Sequence, residues 1–146
     1  MTYKIREVDA SDEDVADKIR EFNRIEFSWP AITDEELEGH NCHWWFAYNE
    51  ADKPIAFAGL NPSVLYKNAG YFKRVGVLPG HRGRGLQLRF FRALEHRAKR
   101  IGWQKIVSET TDTVYSGNNF IKAGYLMFEP DHGWAFPNSI YWIKTL

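Results

Sequence analysis

Residues 74–102, RVGVLPGHRGRGLQLRFFRALEHRAKRIG, constrain the fold more than any other stretch of this 146-residue chain. Val75-Gly76-Val77 ends an apolar strand, Leu78-Pro79-Gly80 turns it, and His81-Arg82-Gly83-Arg84-Gly85 is a basic glycine loop opening onto a helix. Helical spacing puts Leu86, Phe90, Leu94 and Ile101 on one stripe, with Phe91 and Ala98 beside it. Gln87, Arg89, Arg92, Glu95, His96 and Lys99 take the other face, and Gly102 falls where a helix end favours positive φ. Strand, glycine loop and helix in that order make an anion cradle. The first helical N–H groups have no intrahelical partner, and the macrodipole adds partial positive charge. Glycines let a phosphate reach the main chain, and Arg82 and Arg84 supply charge nearby.

A nucleotide P-loop would end Gly-Lys-Ser/Thr, which is missing here. The dinucleotide fingerprint would need glycine where the chain has Leu88. The pattern that fits is Arg/Gln-x-x-Gly-x-Gly/Ala after a strand carrying Val-x-Pro: Val77-Leu78-Pro79, then Arg82-Gly83-Arg84-Gly85-Leu86-Gln87. On these residues the chain resembles the GNAT superfamily of acyl-CoA-dependent N-acyltransferases, departing at Gln87, where that family usually has a small residue. A surface Arg-Gly turn and an RNA-contacting Arg-Gly element are the competing readings of the loop alone.

The rest of the chain follows an order that such a fold would need. A strand over 3–8 precedes a helix capped at Ser11, with Val15, Ile19, Phe22 and Ile25 or Glu26 as its buried stripe. Residues 27–32 break that helix, and Thr33 or Asp34 caps a short second one. Strands are expected over 43–48, 54–60 and 69–77, with a turn at Asn61-Pro62-Ser63. After the long helix come a strand over 105–109, a helical stretch over 110–123 loosened at Ser116-Gly117, a strand from Gly124, and a last strand over 139–146. The order β-α-α-β-β-β-α-β-α-β-β matches GNAT folds along the whole chain. A second local match, Phe120-Ile121-Lys122-Ala123-Gly124-Tyr125, is similar to the Tyr-x-Lys-x-Gly-Phe signature closing the family's fourth helix. The resemblance implies an α/β (α+β) fold, a mixed and mostly antiparallel sheet of six to seven strands flanked by about four helices.

Length and composition agree with one domain over 1–146: 44% of residues are hydrophobic and 16% aromatic, enough for a core. A single cysteine, Cys42, leaves no internal disulfide and no multi-cysteine zinc site, and points to a reducing compartment, taken as the cytoplasm. No metal-ligand spacing is visible. Neither a secretory signal nor a membrane span is expected, so no membrane partner is either. The net charge of zero hides a split. Residues 1–53 hold 14 of the 19 acids, while 73–100 hold 9 of the 19 bases and one acid, Glu95. Acids facing a basic phosphate site suit a cationic acceptor, although most of Asp12 to Asp17 read as an exposed helix face.

The resemblance implies acetyl-CoA as co-substrate, no metal, and direct attack by an amine in a ternary complex. Residues carried over to coenzyme A are Val75, Val77, Arg82, Gly83, Arg84, Gly85, Leu86 and Gln87, with Asn118 near the family's helix-four asparagine position, which aligns with Thr113. The family's frequent general acid is the signature tyrosine, and here Phe120 stands in its place. Tyr115 is the candidate substitute. For a base, Glu109 at the end of a buried-type strand is the best carboxylate, against a solvent-facing alternative. Trp29, Tyr71 and Trp134 are candidate acceptor-binding residues; core closure competes for Trp29 and Trp134. The expected acceptor is a primary amine of a small molecule or protein. A catalytically weak acyl-CoA-binding module, motivated by Phe120, and a nucleic-acid-binding module using the basic helix remain alternatives, nucleic acid being disfavoured by overall neutrality. The aromatic strand His43-Trp44-Trp45-Phe46 leaves room for a homodimer edge.

Overall fold

A computed structural model describes residues 2–26 and 31–146. The elements are β1 (Lys4–Val8), α1 (Glu13–Glu26), α2 (Asp34–Glu38), β2 (His43–Tyr48), β3 (Pro54–Pro62), β4 (Ala69–Val77), α3 (Leu86–Ile101), β5 (Lys105–Thr110), α4 (Val114–Lys122), β6 (Leu126–Phe128) and β7 (Ile140–Thr145). The seven strands form one sheet in the order β1-β2-β3-β4-β5-β7-β6. The pair β4–β5 is parallel and the others are antiparallel. This is the element order and the mixed sheet expected from the sequence.

Period-two alternation divides the apolar residues between the faces of the sheet. Trp45, Ala47, Ala58, Leu60, Phe72 and Ile106 pack with Phe90, Phe91 and Leu94 of α3 and Phe120 of α4. Trp44, Phe46 and Phe57 pack with Ile19 and Phe22 of α1 and Leu37 of α2. Each of these large side chains contributes about 1.5–3 kcal/mol by leaving water. The α3 stripe buries Leu86, Phe90, Phe91, Leu94 and Ala98, and Gly102 closes the helix in the left-handed region at φ 98°. No helix among the described residues is long and apolar enough to cross a membrane.

Several local expectations need correction. Asp12, not Ser11, caps α1: its Oδ1 accepts the Asp14 N–H at 2.9 Å, while the Ser11 hydroxyl is spent on Asp9 Oδ1 at 2.7 Å. The buried stripe of α1 runs through Ala16, Ile19, Phe22 and Asn23 and leaves Ile25 52% exposed, because that position turns off the stripe. Thr110 completes β5 instead of opening a helix, and α4 passes unbroken through Gly117, whose N–H bonds Thr113 O at 3.0 Å. Residues 124–125 cap α4, with Tyr125 N–H bonded to Phe120 O, so β6 begins only at Leu126. The strand β2 lies between β1 and β3 and offers no edge. A dimer through a sheet edge would have to use β1 or β6.

Candidate active site

The sheet opens at its centre. Strands β4 and β5 pair at Ala69↔Lys105, Gly70↔Ile106 and Tyr71↔Val107, and part beyond that point. The cause lies in β4. It pairs Leu60 with Phe72 and Ala58 with Val75, so Lys73 and Arg74 together oppose Gly59. One extra residue is a bulge, which bends its strand. Ser108 Oγ donates to Phe72 O at 2.8 Å just where the ladder opens, satisfying a carbonyl there. The two bulge residues reach back to the helices: Lys73 Nζ lies 3.4 Å from Glu36 Oε1, and Arg74 donates to Asn23 Oδ1 at 2.9 Å while lying 3.6 Å from Glu36 Oε2.

Beyond β4 the glycine loop enters α3. Gly83 and Gly85 sit in the left-handed region at φ 74° and 73°. A Cβ at either would meet open space, so conformation and not crowding calls for glycine here. Gly85 is the N-cap of α3 and brings no side chain to cap it. The first amides of α3 are therefore left to a ligand. Arg82 Nε donates to Val77 O at 2.9 Å, lacing the loop to the strand end, and Arg84 is exposed. This donor set, cationic and rich in main-chain N–H, fits a pyrophosphate. Val75 and Val77 are half-buried beside the core, and Leu86 is 2% exposed. Gln87 spans to α4: its Nε2 donates to Ser116 Oγ at 2.9 Å and its Oε1 accepts from Asn119 Nδ2 at 2.9 Å. Asn118, the coenzyme A candidate, is exposed beside that network.

On the sheet face toward α1 and α2, a cleft of about 680 Å³ includes Tyr71, Lys73, Val107, Glu109 and Trp134 in its lining. The Glu109 carboxylate is held from two sides. Tyr71 donates its hydroxyl to Oε1 in a short hydrogen bond, and Trp134 Nε1 donates to Oε2 at 3.0 Å. Burial, with the Glu109 carboxylate next to it, pushes the Tyr71 phenol well above its ordinary value, so it stays a proton-bearing donor. Cys42 also lines the cleft, and burial raises its thiol, which keeps it from acting as a ready thiolate. Trp134 serves cleft and packing at once, its ring 4.4 Å from that of Tyr141.

The structure thus brings together Glu109, Tyr71 and Trp134, which the sequence had placed on three separate elements. Trp29 lies outside the described residues. Tyr115 is 88% exposed at the start of α4 and does not line the cleft. Phe120 is 1% exposed, stacked at 5.4 Å on Trp142 and edge-on to Tyr125, a core residue. Sequence reasoning missed Glu36, Asn61 and Tyr66 in the cleft wall. Asn61 was concealed because Asn-Pro-Ser reads as a turn, whereas β3 continues to Pro62 and carries Asn61 opposite Tyr71. Among the described residues no cluster of three or more His, Cys, Asp or Glu side chains could hold a metal ion.

The description of the Acetyltransferase (GNAT) family matches residues 4–125. The chain belongs to that family, and it is an acyltransferase by membership. Among solved structures it is similar to an acyl-CoA N-acyltransferase from Klebsiella pneumoniae (19% identity, TM-score 0.72, 99% of this chain and 98% of that one). It is also similar to the Bacillus subtilis acetyltransferase in complex with CoA (13%, TM-score 0.75, 99% of both chains). A third is Arabidopsis thaliana NAA60 in complex with a bisubstrate analogue (14%, TM-score 0.75, 99% of this chain and 98% of that one). At these identities the likeness shows the fold, one that binds CoA in the Bacillus protein. A search of curated protein sequences found no match.

Proposed function

We propose that this chain, acting as one domain over 1–146, moves an acetyl group from acetyl-CoA to a primary amine by direct attack within a ternary complex. The observation that carries the proposal is the position of Glu109, in the wall of the cleft on β5, beside the opening between β4 and β5. On one side stands the anion cradle, on the other an acid-bearing, aromatic cleft that suits an ammonium group.

When bound, acetyl-CoA supplies an acetyl thioester, whose C–S bond breaks as the amine nitrogen forms the new amide. The loop amides from Gly83 to Gln87, with Arg82 and Arg84, would hold its pyrophosphate, and Asn118 lies at the α4 side of the same approach. Main-chain N–H groups of Val75 and Val77, on the strand segment freed by the bulge, would donate to the carbonyl oxygen. Glu109 takes the proton that the acceptor ammonium must lose, Tyr71 and Trp134 keep its carboxylate oriented, and the aromatic faces of Tyr66, Tyr71 and Trp134 border the acceptor. A thiol ionises near pH 8.5, so the departing thiolate is stable enough to take its proton from solvent. Tyr115, exposed and outside the cleft, has no place in this path. Cys42 stays protonated, which favours direct attack over an acyl-enzyme.

The basic helix gives nucleic acid less than its sequence promised: Arg89 donates to Tyr3 O at 3.0 Å, and Arg97 pairs with Glu7. The lone cysteine supports a cytoplasmic setting. The direct test is Glu109→Gln: turnover of amine acceptors should fall while coenzyme A binding, measured by calorimetry, holds. Equal loss of both would remove Glu109 from the chemistry.

A further inference from the structure

On the α3 side of the sheet, the opening between β4 and β5 is bordered by a hydroxyl with a proton to give. Ile106 of β5 packs into the core with α3 and α4, while Val107 and Glu109 line the cleft on the other face. Period-two alternation therefore turns Ser108 and Thr110 toward α3 and α4. Ser108 has spent its proton on Phe72 O at 2.8 Å. Thr110 has not: its Oγ1 accepts from Trp142 Nε1 at 2.9 Å, and among the described residues nothing takes its own proton. A hydroxyl carries one donor and two acceptor sites, and leaving the donor of a largely buried one unused is costly.

Three features aim that proton at a ligand. Thr110 is the last residue of β5, the third beyond Val107, where pairing with β4 stops, while Ile140 of β7 still holds it on the other side. It therefore borders the opening, with the half-buried Val75 and Val77 on the strand that has parted from it. The bond from Trp142 fixes the hydroxyl oxygen and turns the proton away from that ring, which is held in turn by stacking on Phe120. At 8% exposed, Thr110 keeps a small open face in a place mostly shielded from water, where a hydrogen bond to a charge is stronger. The cradle lies at the first turn of α3, on this same side of the sheet, so a cofactor held there would reach the opening past Thr110.

We propose that Thr110 donates a hydrogen bond to the thioester sulfur of acetyl-CoA and to the thiolate that leaves. The proposal rests on the transferase reading and adds a donor that Phe120 cannot supply. As the nitrogen–carbon bond forms and the C–S bond breaks, the electron pair passes to sulfur. Glu109 holds the proton lost by the ammonium group, and the thiolate takes its own from solvent. An aliphatic hydroxyl is a much weaker acid than a thiol, so Thr110 keeps its proton throughout and stabilises the charge. Adjacent residues of one strand then serve opposite partners, Glu109 the amine and Thr110 the sulfur.

The test titrates the thiol of bound coenzyme A, read by the ultraviolet absorbance of its thiolate against protein alone. It is run on the wild type, Thr110→Val and Thr110→Ser, each checked for fold by circular dichroism. In the wild type the bound thiol should ionise about one to two pH units below the free one, the worth of a hydrogen bond to a charged group. Thr110→Val keeps the shape without the donor and should raise that midpoint by the same amount; Thr110→Ser should hold it near the wild-type value. At a pH where the sulfur is neutral, calorimetry should give all three the same affinity for coenzyme A. With acetyl-CoA, kcat should fall about ten- to hundredfold in Thr110→Val and recover in Thr110→Ser. A wild type that leaves the thiol at its free value overturns the proposal, whatever the fold of the variants. So does one midpoint shared by wild type and Thr110→Val, or a serine variant that behaves as the valine does. Failure to bind coenzyme A at all would instead bring down the transferase reading beneath it.

Discussion

In the proposed function Glu109 is the base, and Tyr71 and Trp134, which donate to its two oxygens, fix its direction. Glu109→Gln keeps the shape and removes the basicity; kcat/KM should fall by about 10²–10⁴, the usual share of a positioned base, and steady-state assays of coenzyme A release read it. Tyr71→Phe should cost less, since Trp134 still orients the second oxygen. The signature position tells the opposite story. Phe120 is closed in by Phe72, Phe91, Tyr125 and Trp142, so Phe120→Tyr should gain no rate and lose about 1–3 kcal/mol by burying a hydroxyl without a partner, read by urea unfolding. A rise in turnover would reinstate the family's acid at that position. At this scale the sequence was legible in placing Glu109 near the end of β5, where it lines the cleft. It was silent at Asn61, because Asn-Pro-Ser has the composition of a turn and only pairing with β4 keeps it in a strand.

Among elements, the glycine loop and the bulged strand divide the work. The loop depends on backbone conformation: Gly85→Val would force a β-branched residue to φ 73°, at a cost of about 1–2 kcal/mol or a rearranged loop, while the added Cβ itself would have nothing within 4 Å. Coenzyme A affinity should drop at least tenfold by calorimetry with the far-ultraviolet spectrum unchanged; undiminished affinity would move the anion site elsewhere. Loop, helix stripe and Gly102 cap were readable because each follows from local spacing. The bulge at Lys73 and Arg74 was not, since it is a mismatch between two strands and exists only once β3 and β4 are paired. The α4 boundaries failed for a related reason: Thr110 pairs with Ile140 on β7, and that tertiary pairing overrides local helical preference.

For the whole molecule, burial first and then a neighbouring glutamate raise two phenols, Tyr71 beside Glu109 and Tyr125 beside Glu95, far above their ordinary value of 10.0. Their pKa is higher folded than unfolded, so their contribution is complete below pH 10 and is lost as pH rises past it, when the unfolded chain ionises and the folded one does not. Stability should fall by up to about 1.4 kcal/mol per pH unit for each, and Tyr125→Phe should shallow the decline in urea midpoints between pH 10 and 11. A flat profile, or all seven tyrosines titrating near 10 in the folded state, would contradict this burial. The element order and a mixed sheet could be anticipated from the run of strands and helices along the chain, whereas the strand order and its edges could not: β7 lies between β5 and β6, and the aromatic β2 looked like an edge and is enclosed by its neighbours. In the proposed function, cleft and cradle both gain their purpose from one event, the binding of acetyl-CoA at the opening between β4 and β5. Calorimetric titration of acetyl-CoA and coenzyme A into the wild type and Gly85→Glu measures it. The account predicts saturable binding to the wild type and its loss in a variant that remains folded; no binding to the wild type would contradict it.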